Sequence, residues 1–84
     1  MTKSQIRDRV LRFFRAKYRY VEFTTDMRKH LLLADQQILD IATALAMEIG
    51  CNPSTTAIGK CKTVGDLAKL LADTKIRVRI HDVI

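Results

Sequence analysis

No tryptophan, no glycine- or serine-rich stretch and no proline other than Pro53 interrupt this chain. Nothing in it therefore marks a linker, and its 84 residues read as one domain with a single small core. No apolar run approaches the roughly 20 residues that a membrane-spanning helix needs. The opening "MTKSQIRDR" is too polar for a secretory signal, so a cytoplasmic location is expected. Cysteine is scarce as well: Cys51 and Cys61 are separated by nine residues, and His30 and His81 lie far from both. That spacing fits no zinc-ligand pairing, and in a reducing compartment both thiols are expected to stay free. There is no phosphate-cradling glycine loop and no nucleophile–base spacing, so no catalytic, metal or cofactor-binding residue is expected and the chain reads as a non-enzyme.

Charge is plentiful and uneven. The net charge is +6, with 48% hydrophobic and 29% charged residues, a soluble globular balance. Residues 1–34 hold nine Lys/Arg against three acids, residues 35–59 hold none against Asp35, Asp40 and Glu48, and residues 60–84 hold six against three. A basic chain thus carries one acidic segment in its middle.

Periodicity supplies the elements. From Lys3 to about Tyr20, Ile6, Val10, Phe13, Phe14 and Lys17 recur on one helical face, and Leu11 and Tyr18 flank it. Arg9, Arg12, Arg15 and Arg19 form a basic stripe opposite, either a solvated face or a footprint for an acidic partner. Residues 21–34 lack a sustained period and predict a long loop with one helical turn at Asp26–His30, pinned to the core by Val21, Phe23, Met27 and Leu31. A second helix is predicted over Gln36–Ile49, with Asp35 as N-cap and Gly50 as its stop. Its core stripe is Ile38, Ala42, Leu45 and Ile49. Asp40, Thr43 and Met47 face away as an adaptable contact surface, with Glu48 nearer the core side. A short turn near Ser54–Ile58 leads to Thr63 and Asp66, which fit a capping box before a last helix built on Val64, Leu67, Leu70 and Leu71. The tail "KIRVRIHDVI" alternates Ile76, Val78 and Ile80 with charged residues, which is strand periodicity.

Long helix, long loop, acidic helix, short turn and final helix resemble the layout of the acyl carrier protein family. "TVGD" at 63–66 resembles the start of that family's last helix, and "MEIG" at 47–50 the end of its second. The spacing from Gly50 to Asp66 agrees without a gap, and Met27 and Leu31 fall where the family has apolar loop residues. Covering residues 5–73, the resemblance implies an all-α, three- to four-helix bundle over residues 1–74, to which the alternating pattern adds a short extended C-terminal tail over 75–84. It also implies where a 4′-phosphopantetheine arm would be attached: a serine in an Asp-Ser-Leu motif at the start of the second helix. Here the register places Ala34, Asp35 and Gln36 on those positions, so the attachment serine is absent and no cofactor is expected. Asp35 then both caps the helix and replaces the modified serine. The family's partner-docking positions map to Asp35, Asp40, Met47 and Glu48, whereas the basic first helix departs from the family's acidic character.

Two functions from different classes follow. One is a non-modified protein-interaction module tied to acyl or peptidyl carrier pathways, which meets an acidic carrier or a biosynthetic enzyme through Asp35, Asp40, Met47, Arg9, Arg12, Arg15 and Arg19. The alternative is a basic nucleic-acid-binding helical domain; against it, no helix-turn-helix signature or aromatic-interleaved basic surface is evident.

Overall fold

A computed structural model describes residues 2–83, with side chains placed for residues 2–75. Four helices follow in order: α1 (Lys3–Lys17), α2 (Asp35–Ile49), α3 (Thr55–Gly59) and α4 (Val64–Val83). There is no strand among the described residues, only an isolated bridge between Asp26 and Thr63. The molecule is a small all-α four-helix bundle.

Helix α1 starts at a reciprocal cap. The Gln5 N–H donates to Thr2 Oγ1 (3.1 Å) and the Thr2 N–H to Gln5 Oε1 (2.8 Å), which satisfies two of the otherwise orphaned donors at the helix start. It ends at Lys17, three residues before the expected boundary, because Tyr18 is already extended (φ −132°, ψ 149°). The chain turns there to bury Val21, whose carbonyl accepts from Arg15 Nε at 2.9 Å. Helices α1 and α4 run antiparallel. Lys3, at the start of α1, pairs with Asp73 (3.1 Å), and one turn on Arg7 lies over the ring of Phe23 (5.0 Å), whose carbonyl meets Gly65 at the start of α4.

Their contact is the heart of the core. Ile6, Val10 and Phe14 from α1 meet Val64, Leu67, Ala68 and Leu71 from α4, all with no exposed surface. Ile38, Ala42 and Leu45 from α2, Ile58 from α3 and Val21 and Met27 from the loop complete it. Each large side chain buried this way contributes about 1.5–3 kcal/mol. The predicted stripe of α2 is therefore the core stripe, and Phe13, Tyr18, Phe23 and Leu70 sit half-buried at its margin.

Two expectations are corrected by the backbone. Asp35 is the first residue of α2 and not its cap; that position belongs to Ala34 (φ −78°, ψ 160°). Alanine has no acceptor to offer, and the start is secured instead by Gln37, whose Oε1 takes the Ala34 N–H at 2.8 Å. The tail is also not extended, since α4 continues through Val83. After Gly65 no glycine or proline follows to stop the helix, and each added residue gains a hydrogen bond without a new nucleation step. The side chains behind the alternating pattern lie outside those described.

Candidate functional site

The start of α2 is held by an ion pair. Arg28 donates from Nε to Asp35 Oδ1 at 2.8 Å. The same guanidinium donates to the carbonyls of Cys61 (2.8 Å) and Gly59 (3.3 Å), so one side chain holds the loop, the α2 start and the α3–α4 connection together. Arg28 is itself set by Asp26, whose Oδ1 accepts the N–H groups of Arg28 (2.9 Å) and Lys29 (2.7 Å). Those bonds, the Lys29 N–H foremost, hold the Asp26 carboxyl below the usual carboxylate range. A cleft of about 180 Å³ lies beside this clamp, lined by Arg28, Asp35, Gln36, Ile38, Leu39 and Ile58 among others. No serine or threonine hydroxyl stands at the start of α2: Ser54 caps α3 by accepting the Ala57 N–H at 3.1 Å, and Ser4 is in α1.

The long loop is a strap laced into the start of α4. Gly65 N–H donates to Phe23 O (2.7 Å), Val64 N–H to Thr25 O (3.0 Å) and Met27 N–H to Lys62 O (2.9 Å). A Cβ on Gly65 would come within 2.8 Å of Phe23 O, so the glycine of "TVGD" is required by a backbone crossing. Thr63 and Asp66 cap the helix reciprocally. The Asp66 N–H donates to Thr63 Oγ1 (3.1 Å), and Asp66 Oδ2 accepts from the N–H groups of Lys62 (3.0 Å) and Thr63 (3.2 Å). These donors, that of Lys62 first, lower the Asp66 pKa.

The outward face of α2 holds Asp40, Thr43 and Met47 as the periodicity required. Met47 is 78% exposed, Asp40 Oδ1 accepts from Gln36 Nε2 at 2.9 Å, and Thr43 Oγ1 is turned back to Leu39 O at 2.8 Å. Glu48 is exposed rather than turned to the core, and it pairs with Arg9 across an open groove of about 750 Å³ between α1 and α2. The arginines of α1 do not act as a uniform stripe. Arg9 is engaged by Glu48, and Arg15 is held by Val21 O and by Glu22 Oε2 at 3.0 Å. Arg12 has no ion-pair partner among the described residues; nor does Arg19, which lies past the end of α1 and so is not on the expected helical stripe.

Cys51 and Cys61 are both free, and burial raises both thiol pKa values, so neither presents a thiolate at neutral pH. His30 is exposed and accepts the Asp26 N–H at Nδ1 (3.1 Å). Among the described residues no group of three or more His, Cys, Asp or Glu side chains is placed to hold a metal, and no helix is long and apolar enough to cross a membrane.

Sequence reasoning missed Arg28, because its partners lie up to 33 residues away and no local pattern announces them. It also missed Tyr20 and Leu32. Both have left-handed backbones (φ 58° and 57°) and large exposed side chains, 93% and 80%. No protein-family model matches the chain, and no curated protein or solved structure is significantly similar to it.

Proposed function

We propose that the chain is an acyl-carrier-protein-like interaction module that is not itself modified, acting beside acyl- or peptidyl-carrying enzymes without catalysing a reaction. The observation that carries this reading is the Arg28–Asp35 pair. Where an attachment hydroxyl would meet a phosphodiester, the chain offers a carboxylate already committed to a guanidinium. A phosphate there would face Asp35 as a like charge. The four-helix bundle, the glycine required at the start of α4 and the acidic α2 face are the features it shares with a carrier. That face, Asp35, Asp40 and Met47, is the surface for a biosynthetic enzyme; the basic outer face of α1 suits an acidic carrier.

Intact mass after incubation with coenzyme A and a broad phosphopantetheinyl transferase tests the reading. The mass is expected to stay unchanged, and a gain of one phosphopantetheine arm on any residue would overturn it. The double variant Asp35→Ser, Gln36→Leu restores the hydroxyl and frees Arg28 to meet the incoming phosphate, and it is expected to accept the arm.

A further inference from the structure

We infer that the tip of the strap, residues 26–33, together with the adjoining residues 59–62, is a docking patch for the anionic surface of a lipid bilayer. The inference concerns a different surface from the proposed interaction face and does not depend on the module reading.

The tip is a turn closed by its own backbone. Asp26 O accepts the N–H groups of His30 (3.0 Å) and Leu31 (3.3 Å), and Met27 O accepts that of Leu33 (3.0 Å). Met27 and Leu33 are buried, so the turn is anchored in the core at both ends, while Lys29, His30 and Leu32 between them are exposed. The α3–α4 connection lies against it. Arg28 donates to the carbonyls of Gly59 and Cys61, which flank Lys60, and the Met27 N–H donates to that of Lys62. Lys29, Lys60 and Lys62 are thereby gathered around one turn, and all three are exposed.

The charge of this patch is not cancelled locally. None of the three lysines has an ion-pair partner among the described residues. The acids nearby are engaged elsewhere: Asp26 and Asp66 each accept two backbone N–H groups, and Asp35 is paired with Arg28. Helices α2 and α4 both start beside the turn, so the positive ends of two helix dipoles add to the same sign.

Leu32 decides the class of partner. It is 80% exposed on a left-handed backbone (φ 57°), a conformation costly for a bulky side chain, and the core gains nothing from it. An aliphatic side chain projecting among lysines matches a surface whose anionic headgroups overlie acyl chains. The ammonium groups meet the headgroup charges while the leucine enters the boundary beneath them. A nucleic-acid track would use the lysines and leave Leu32 in water. No phenylalanine, tyrosine or tryptophan lies in either segment to stack on a base. A protein partner would need a preformed pit for the leucine, and a bilayer needs none. Each lysine near such a surface strengthens binding about fivefold, so the attachment is weak, reversible and sensitive to salt.

The test is co-sedimentation with vesicles of phosphatidylserine and phosphatidylcholine in equal parts, against vesicles of phosphatidylcholine alone. The chain is expected to bind the mixed vesicles and not the neutral ones. Lys29→Gln, Lys60→Gln and Lys62→Gln together are expected to weaken that binding about tenfold or more. Arg12→Gln, Lys17→Gln and Arg19→Gln together remove the same charge elsewhere and are expected to change it about threefold at most. Leu32→Asn, which suits a left-handed backbone, is expected to weaken it about threefold or more. The chain has no tryptophan, so Leu32→Trp supplies a single fluorophore whose emission should shift to the blue on the mixed vesicles. Equal binding to both vesicles, or equal losses in the two triple variants, overturns the inference. So does a tryptophan at position 32 that keeps its aqueous emission while the chain is bound. Tighter binding of a labelled oligothymidylate through the same lysines also overturns it and gives the patch to nucleic acid. Each of these failures leaves the phosphopantetheine mass test, and the module reading it probes, untouched.

Discussion

The first turns of α2 and α4 solve the same problem in opposite ways. Each must satisfy backbone N–H groups that have no partner inside the helix. At α4 the solution is local and dense: Thr63 and Asp66 cap each other, and the strap lends two carbonyls from Phe23 and Thr25. At α2 it is sparse: Gln37 reaches back to Ala34, and Asp35 is held by an arginine from the loop, with its own side chain 86% exposed. Stability is concentrated at the start of α4, while the start of α2 carries a surface whose chemistry can change at small cost. That is the division expected if α2 displays contacts and α4 holds the frame.

The comparison breaks most visibly at Gly65. Helix propensity alone predicts that Gly65→Ala stabilises by up to about 1 kcal/mol. The Phe23 carbonyl 2.8 Å from the added carbon reverses the sign, and a net loss of about 1–3 kcal/mol is expected in urea unfolding. Gly59→Ala, which meets nothing within 4 Å, is the matched control and should stay within about 1 kcal/mol of the parent. Thr63→Ala comes next, with about 1 kcal/mol lost from the α4 cap. Asp35→Asn should cost at most about 0.5 kcal/mol, because an exposed ion pair contributes little. If thermal melts show a larger loss for Asp35→Asn than for Thr63→Ala, the contrast between the two helix starts is wrong.

Acid sharpens the same contrast. The folded-state pKa of Asp66 lies below its unfolded value of about 3.9, so its contribution is fully present above that value and lost as pH falls through the folded pKa. Asp26 follows the same sign. Stability measured downward from about pH 5 should therefore fall, and Asp66→Asn should flatten part of that fall relative to the parent. A parallel pair of curves would show that Asp66 contributes nothing to the acid response.

What could be read in the sequence was local. The α2 core stripe, the Gly50 stop in its left-handed conformation (φ 86°), the short turn near Ser54–Ile58 and the Thr63–Asp66 box are all set by neighbours within a few residues. Asp35 lies one position beyond its expected place because aspartate suits both the cap and the first turn, where it meets the positive end of the helix dipole. Which of the two it occupies depends on Gln37 and on Arg28, and the Arg28 contact is tertiary. The tail departs from its pattern for another reason. Alternating β-branched residues suggest a strand, but a strand needs an edge to pair with and a continuing helix needs none. Of the candidate site, the exposure of Asp40 and Met47 followed from helix phase alone. The division of the α1 arginines into engaged and free did not, since Glu48 is 39 residues from Arg9 in the chain.

Arg28 has a kinetic consequence. Because one guanidinium closes the loop against α2 and against the α3–α4 connection, these segments share a single latch. Release of that side chain frees the end of the strap from α2 and α3 together, while its backbone bonds to the start of α4 stay in place, so the amides of residues 28–34 and of α3 should exchange with deuterium as one cooperative unit, faster than those of α1 and the first half of α4. Replacing Arg28 by methionine should uncouple the unit into separate openings, each with its own exchange rate.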